Sequence, residues 1–152
     1  MIKKTLLVVT LLGVVLVAFG LIMYVTNMAP TVPAISAAEA ANPDKPYVVK
    51  LHAQWCPICM VTKGVWSQIE ETYSTRANLV VLDFTNQANT DASRAEAKRL
   101  GLETVLDEYF GATGTIVVLD GRTKEVTASI TGSRDFVEYR AAIDATLNTV
   151  TR

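Results

Sequence analysis

The chain has 152 residues, a formal net charge of −1 and a hydrophobic content of 50%. This length accommodates one domain with an additional segment, and the nearly neutral charge gives no indication of a nucleic acid partner. The apolar content excludes an intrinsically disordered chain, because it is high enough to form a core. The sequence contains a single long apolar run, which excludes a membrane protein with several spans.

That apolar run, Thr5 to Val25, predicts a membrane anchor. It contains 21 residues without a charge, which is enough for a helix to span a bilayer core. Lys3 and Lys4 precede it, and positive charge on this side predicts a cytoplasmic N-terminus with the following chain outside, in the periplasm. A cleavable signal peptide is the alternative, with a small-residue site at residues 38–40, but the run is longer than such a peptide needs. We therefore expect residues 1–27 to be an uncleaved, single-pass anchor in the cell membrane.

Residues 28–46 predict an extended tether. Six alanines and four prolines lie between Ala29 and Pro46, and proline blocks the propagation of a helix. Residues 47–152 then remain for one small domain.

Strands and helices alternate along residues 47–152. Short β-branched and aromatic runs predict strands, whereas apolar residues at helical spacing predict helices. The predicted strands are Tyr47–His52, Leu79–Phe84, Thr115–Leu119 and Val126–Ile130, of which the second is a buried parallel strand and the last two form an antiparallel hairpin. The first predicted helix is Pro57–Tyr73. The second is capped near Asp91 and Ser93, breaks at Gly101 and resumes through Glu103–Tyr109. The last is capped by Ser133 or Asp135. This order predicts an α/β sandwich with a hairpin at the end of its sheet.

Two cysteines, Cys56 and Cys59, lie where the first strand meets the first helix. Near a helix start, free N–H groups and the positive end of the dipole favour the thiolate of Cys56. Pro57 suits the first helical turn, where its missing N–H costs nothing. Because the thiolate is the attacking species in disulfide exchange, Cys56 can attack and Cys59 can resolve. We expect Cys56 to be the more acidic and more exposed thiol of a redox-active Cys56–Cys59 disulfide.

Two other interpretations of the cysteines are weaker. A zinc site needs about four ligands, and the sequence offers two cysteines and His52, so we expect no metal and no other cofactor. An inert structural disulfide is compatible with an exported domain. However, a loop of this length constrains the unfolded chain little and would stabilise the fold poorly.

Residues 48–59, with the sequence VVKLHAQWCPIC, resemble the strand and active-site segment of the thioredoxin family. The element order over residues 47–152 is similar to that fold, a three-layer α/β/α sandwich with a central mixed sheet. An anchor, a tether and one such domain resemble the membrane-anchored extracytoplasmic thioredoxins of the TlpA-like group. The resemblance implies that Cys56 is the nucleophile, that Cys59 is the buried resolving thiol, and that Trp55 packs beside the active site. For Trp55, an ordinary core aromatic is the alternative.

Three positions depart from the family pattern. Lys50 stands where many thioredoxins have a buried acid, and it either lies buried near the thiols or extends its charged end to water. His52 lies on the same strand face, as a packed residue or as a proton carrier. Gly114, before the strand that begins at Thr115, stands where the family has a cis-proline opposite the cysteines. We expect a trans Thr113–Gly114 bond and a loop that is looser than in the family.

The sequence therefore predicts a membrane-tethered thiol–disulfide oxidoreductase that acts on protein thiols and disulfides. The Pro57-Ile58 dipeptide between the cysteines matches neither the Gly-Pro of reducing thioredoxins nor the Pro-His of strong oxidants. Anchored members commonly act as reductases, and this analogy favours reduction with a membrane electron donor. The alternative is a non-catalytic thioredoxin-like module for binding or assembly, or one that holds a metal or an iron–sulfur cluster.

Overall fold

The computed structural model describes residues 41–150, and in that part of the chain it contains four strands and five helices. The strands are β1 (Tyr47–His52), β2 (Asn78–Asp83), β3 (Thr115–Leu119) and β4 (Val126–Thr131). The helices are α1 (Pro57–Val61), α2 (Lys63–Tyr73), α3 (Gln87–Leu100), α4 (Glu103–Glu108) and α5 (Phe136–Val150).

The four strands form one mixed sheet in the order β2-β1-β3-β4. β1 is parallel to β2 and antiparallel to β3, and β3 and β4 form the predicted antiparallel hairpin. The prediction of a parallel strand at β2 is confirmed, but only Val80 and Leu82 are buried there. β2 is less buried than its continuous apolar run predicts, because it lies at the edge of the sheet.

Helices cover both faces of the sheet, so the domain has three layers. Alternate side chains of a strand point to opposite faces, and Val48 and Val49 accordingly belong to two different hydrophobic cores. On the face of Val49 the sheet packs against α3, α4 and the segment between them. On the face of Val48 it packs against α2 and α5, with Tyr73 and Tyr139 fully buried between them.

The first predicted helix is two helices, α1 and α2, that meet at Thr62. The Thr62 hydroxyl donates to the carbonyl of Ile58 at 3.0 Å, and the φ and ψ of Thr62 are −90° and 1°. A threonine that bonds back to the preceding turn competes with helix propagation. The prediction of one continuous helix from Pro57 to Tyr73 is therefore wrong at this residue.

The predicted start of the third helix is also wrong. Asn86 caps α3, since its side-chain oxygen accepts the N–H of Asn89 at 2.9 Å. Ser93 lies inside the helix and is buried, where its hydroxyl donates to the carbonyl of Asp83 at 3.0 Å and accepts the N–H of the same residue at 2.7 Å. Ser93 thus attaches α3 to the end of β2.

Two other predicted helix ends are confirmed. Gly101, with a φ of 68°, ends α3 in the left-handed conformation, and α4 resumes at Glu103. Asp135 caps the last helix, because its carboxylate accepts the N–H of Val137 at 2.9 Å.

The N-terminal predictions fall mostly outside the described residues. The predicted anchor, residues 1–27, lies outside them, and among residues 41–150 no helix has the length and apolar content to span a membrane. The end of the predicted tether is described and contacts the domain. Asn42 and Asn78 exchange hydrogen bonds, and Arg122 donates to Asp44 at 2.7 Å.

Candidate active site

The two cysteines lie at the start of α1, directly after the chain leaves β1. Cys56 is the N-cap residue of α1, in an extended conformation, and Pro57 occupies the first helical turn as predicted. The backbone N–H of Cys59 donates to Cys56 Sγ over 3.2 Å. A helix start leaves N–H groups without intrahelical partners, and here one of them binds the sulfur of Cys56.

Both cysteines are free thiols, and both are buried. Cys56 is 3% exposed and Cys59 is 2% exposed, so the expected difference in exposure is absent. Cys59 Sγ lies 3.8 Å from the carbonyl oxygen of Leu51, which belongs to the neighbouring strand β1. The resolving thiol is therefore held against the sheet.

The two thiols differ in acidity in the predicted direction. Burial raises the pKa of Cys56, but hydrogen bonds from the Cys59 thiol, from the Thr113 side chain and from the N–H groups of Cys59 and Ile58 outweigh it, and the pKa of Cys56 is lowered. Burial raises the pKa of Cys59, and the hydrogen bond that its thiol donates to Cys56 raises that pKa further. Cys56 is thus the thiol that ionises first.

Gly114 lies beside Cys56. A Cβ atom built on Gly114 would be 3.6 Å from Cys56 Sγ. The Thr113–Gly114 bond is trans, as expected. However, the loop is not loose at this point, because the Gly114 N–H donates to Leu51 at 2.8 Å and its carbonyl accepts the N–H of Gly132 at 3.2 Å. Its φ of 89° is closed to proline, so the loop follows a path that the family residue could not take.

The side chain of Ile58 occupies the space over Gly114. Its Cγ2 atom would be only 2.5 Å from a Cβ on Gly114 and 3.2 Å from one on Gly132. Both glycines have positive φ. The missing side chains of these two glycines therefore leave the space that Ile58 occupies. Gly132 was not recognised from the sequence as a residue near the site. Gly132 follows a strand without a distinctive sequence pattern, so nothing in the sequence indicates that it lies near an active site.

Three further side chains near the cysteines, those of Trp55, Thr115 and Thr113, differ in exposure and in their contacts. Trp55 is 62% exposed and donates from Nε1 to the carbonyl of Thr85 at 3.2 Å, so it is not a core aromatic. Thr115 is buried, and its hydroxyl lies 2.8 Å from that of Thr131, where it joins the strands of the hairpin. Thr113, which the sequence did not indicate as a site residue, lowers the pKa of Cys56 through its side chain.

A cavity of about 380 Å³ lies on the Cys59 side of the site. Lys50 and His52, two residues apart on β1, both line it. Lys50 is 9% exposed, and its Nζ lies 5.2 Å from the centre of the Trp66 ring. The Trp66 Nε1 in turn donates to Glu70 at 2.7 Å. The structure therefore shows Lys50 buried near Cys59 rather than extended along the surface.

Burial lowers the pKa of Lys50 and that of His52, and the charge of Lys50 lowers the pKa of His52 further. Within the described residues, His52 Nδ1 is the one fully buried side-chain nitrogen or oxygen without a hydrogen-bond partner. No group of three or more His, Cys, Asp or Glu side chains in residues 41–150 could hold a metal ion.

The family model of thioredoxin matches residues 31–98. Those residues match the thioredoxin family, and the domain has a thioredoxin-like α/β fold. In this thioredoxin-like domain, Cys56 and Cys59 have the Cys-x-x-Cys spacing on the fold of a thiol–disulfide oxidoreductase. None of the curated proteins matches the sequence of this chain.

Several solved structures are similar to this thioredoxin domain. The thiol:disulfide interchange protein of Chlorobium tepidum TLS is 21% identical, covers 69% of this chain and 81% of its own, and has a TM-score of 0.48. Thioredoxin O2 of Arabidopsis thaliana in the oxidized state is 20% identical; the match covers 70% of this chain and 78% of that chain, with a TM-score of 0.45. The MTB protein dsbF, in mixed oxidized and reduced forms, is 17% identical; the match covers 68% of this chain and 81% of that chain, with a TM-score of 0.46.

Proposed function

We propose that this chain is a membrane-tethered, extracytoplasmic thiol–disulfide oxidoreductase that reduces protein disulfides through Cys56 and Cys59. The observation that carries the exchange chemistry is a pair of free thiols at one helix start, where the Cys59 N–H donates to Cys56 Sγ at 3.2 Å. In agreement with this geometry, the pKa is lowered for Cys56 and raised for Cys59. A nucleophile that ionises easily beside a thiol that keeps its proton is what an ordered two-step exchange requires.

In the first step, the Cys56 thiolate attacks one sulfur of the substrate disulfide. A bond forms between Cys56 Sγ and that sulfur, the substrate S–S bond breaks, and the other substrate sulfur leaves as a thiolate that takes a proton from water. The N–H of Cys59, 3.2 Å from Cys56 Sγ, stabilises the attacking thiolate. Cys59 meanwhile remains protonated, so it does not compete for the substrate.

In the second step, Cys59 loses its proton to water and attacks Cys56 Sγ. The Cys56–Cys59 disulfide forms, and the second substrate sulfur leaves as a thiolate. Two electrons have then passed from the cysteine pair to the substrate, and an external dithiol must return them before the next cycle. For an extracytoplasmic domain, we propose that this donor is a membrane protein that carries electrons outward.

The apolar surface around the cysteines supports a protein substrate. Trp55, Ile58, Met60 and Val61 are between 40% and 66% exposed, and all lie within five residues of Cys56. Exposed apolar side chains that lie together on a soluble domain mark a surface for another protein. The substrate disulfide would approach Cys56 over this surface.

Trapping experiments test the order of the two steps. In full-length protein, Cys59→Ser should accumulate mixed disulfides with substrates, because the resolving thiol is gone. Cys56→Ser should accumulate none, and the double variant Cys56→Ser/Cys59→Ser is the control for association without a covalent bond. If Cys56→Ser captures substrates and Cys59→Ser does not, the assigned roles are reversed.

The direction of the reaction has its own test. A reductase is kept reduced by its donor, so rapid acid quenching of cells followed by alkylation should find Cys56 and Cys59 mostly as thiols. An oxidant would be found mostly as the disulfide. A pair that is mostly oxidised at steady state would contradict reduction while leaving the exchange chemistry intact.

The location rests on the apolar run of residues 5–25 and the lysines before it. The full-length protein should sediment with membranes and resist extraction at high pH. Protease added to intact spheroplasts should remove the thioredoxin domain. Protection of the domain in intact spheroplasts, with digestion after lysis, would place it in the cytoplasm.

A further inference from the structure

A buried lysine without a carboxylate partner lines the cavity beside Cys59. Lys50 is 9% exposed, and no carboxylate or hydrogen-bond acceptor of the described residues pairs with its ammonium group. Its contact is the face of Trp66, 5.2 Å away. The Lys50 Nζ is not fully enclosed, so its charge faces the cavity. A partly desolvated charge that lacks an ionic or hydrogen-bond partner is costly.

The charged groups around Lys50 do not supply that partner. They are Cys59 on α1, Lys63 and Glu70 on α2, Asp83 on β2 and His52 on β1 itself. Glu70 binds the Trp66 Nε1 at 2.7 Å, and Asp83 binds Thr85 and Asn89.

Cys59 does not provide the missing anion either. Burial raises the pKa of the Cys59 thiol, so that the reduced protein holds it neutral, and a disulfide carries no charge. Two lysines and one histidine therefore line the cavity with one carboxylate, that of Glu70.

We propose that this cavity binds a small oxyanion, which pairs with the ammonium group of Lys50. The cavity of about 380 Å³ has the size of a small-molecule site. Lys63 and Gln54 on its walls provide further donors for anionic oxygens. Trp66 and Met60 provide an apolar wall. The same chemistry suits a carboxylate of an organic acid or an inorganic oxyanion.

The oxyanion site does not require the thiols to react. Cys59 lines the cavity and Cys56 does not, although the exposed Met60 of the proposed substrate surface forms part of the cavity wall. Binding and thiol chemistry are nevertheless coupled, since an anion at Lys50 would neutralise the positive charge that lowers the pKa of Cys59. Coupling between two sites is reciprocal. Anion affinity should therefore differ between the reduced and oxidised forms.

Calorimetric titration of the full-length, reduced protein tests the proposal, with sodium benzoate and sodium sulfate as probes at constant ionic strength. We expect saturable binding with a Kd of about 1 mM or below. Tighter binding of benzoate identifies an organic acid as the ligand type, and tighter binding of sulfate identifies an inorganic oxyanion. If neither anion binds saturably, the proposal is wrong.

Lysine variants locate the site. Lys50→Met keeps an unbranched side chain over Trp66 but removes the charge, and it should weaken binding at least tenfold. Lys98→Met removes an exposed lysine of α3 and is the matched control, with unchanged affinity expected. Equal affinity in the two variants would overturn the assignment to Lys50.

Glu70→Gln provides a second measurement if Lys50→Met does not fold. Its amide oxygen can still accept the Trp66 Nε1–H, while the negative charge in the cavity is lost. We expect about threefold tighter binding, and Lys63→Met should weaken binding by a similar factor. Unchanged affinity in both variants would contradict an electrostatic anion site.

The dependence on pH distinguishes an ammonium partner from a neutral amine. Burial lowers the pKa of Lys50 below its usual 10.5 in the free protein, and a bound anion raises it. Binding should therefore take up protons, and affinity should fall as the pH rises toward 10.5. Titrations in buffers of different ionisation enthalpy measure that uptake, and its absence together with a flat pH dependence would overturn the proposal. The Cys56→Ser/Cys59→Ser variant should still bind, so failure of the redox function and failure of this site are distinguishable.

Discussion

The two sulfurs of the active site lie one helical turn apart, yet their surroundings differ in kind. Cys56 is surrounded by hydrogen-bond donors, namely the N–H of Cys59 and the side chain of Thr113, and it faces the glycine loop at Gly114. Cys59 faces the sheet and a cavity lined by Lys50, and its Sγ lies 3.8 Å from the carbonyl oxygen of Leu51.

The comparison shows that burial alone does not decide the acidity of these thiols. The exposed fractions, 3% and 2%, are nearly equal, yet the two pKa values move in opposite directions. The two pKa values differ because the number and orientation of hydrogen-bond donors differ: a donor favours the charged form of the group that accepts from it. Variants of the surroundings should therefore affect the two sulfurs separately.

The largest expected effect comes from filling the space at Gly114. Gly114→Ala combines a positive φ with a Cβ that would lie 2.5 Å from Ile58 Cγ2. We expect the free energy of unfolding to fall by about 2–4 kcal/mol, from left-handed backbone strain and overpacking together. Denaturant titration of the reduced protein measures it.

Gly101→Ala is the matched control, because Gly101 has a φ of 68° but no atom within 4 Å of the new Cβ. It should cost only the backbone part, about 1 kcal/mol. Adding Ile58→Ala to Gly114→Ala should recover the steric part, whereas equal losses for the two glycine variants would show that Ile58 does not press on Gly114.

The second expected effect is a difference in reactivity between the cysteines. At pH 7 the single thiol of Cys59→Ser, Cys56, should react with iodoacetamide at least about tenfold faster than the single thiol of Cys56→Ser. The Cys56 thiolate accepts several hydrogen bonds, each of which contributes about 1 kcal/mol. The pH profile gives the sign: the rate at Cys56 should reach half its maximum below the usual thiol pKa, and that at Cys59 above it. Equal rates would contradict the difference between the two surroundings.

The sequence was sufficient to predict the elements that carry the cysteines, but not the surroundings that distinguish them. Short β-branched and apolar runs predicted the four strands found in residues 41–150, and the break at Gly101 followed from the conformational freedom of glycine. The capping motif near Asp91 was misleading, since Ser93 bonds to Asp83 on β2 instead. Such a contact connects residues far apart in sequence, and a local pattern contains no information about it.

The same reasoning explains what was missed in the site. Gly114 could be placed by the resemblance, because the family has a defined residue there. The space that Gly114 and Gly132 leave for Ile58 involves three separate segments of the chain. The effect of Thr113 on Cys56 depends on the path of the loop at Gly114. The cavity beside Cys59 likewise needs β1, α1 and α2 together.

The third expected effect is smaller and concerns Thr113. Thr113→Val removes the hydroxyl that binds Cys56 while it keeps the shape of the side chain, so the pKa of Cys56 should rise toward its usual value. Loss of one such hydrogen bond corresponds to about 1 kcal/mol, or roughly fivefold in alkylation rate at pH 7. Thr115→Val is the control, because the Thr115 hydroxyl binds Thr131 and not a cysteine. A similar loss of rate in both variants would indicate a general change in the hairpin.

The smallest expected effect is that of Lys50 on the acidity of Cys59. The charge of Lys50 lowers the pKa of Cys59, but burial and the hydrogen bond to Cys56 affect that pKa more. The cavity also admits solvent, which screens the charge. In the Cys56→Ser background, Lys50→Met should therefore slow alkylation of Cys59 by only about twofold, with Lys98→Met as the control of equal charge. A tenfold loss would mean that the lysine at the position of the family's acid governs the resolving thiol. The cavity would then belong to the redox mechanism, and the surroundings of Cys59 would be as polar in effect as those of Cys56.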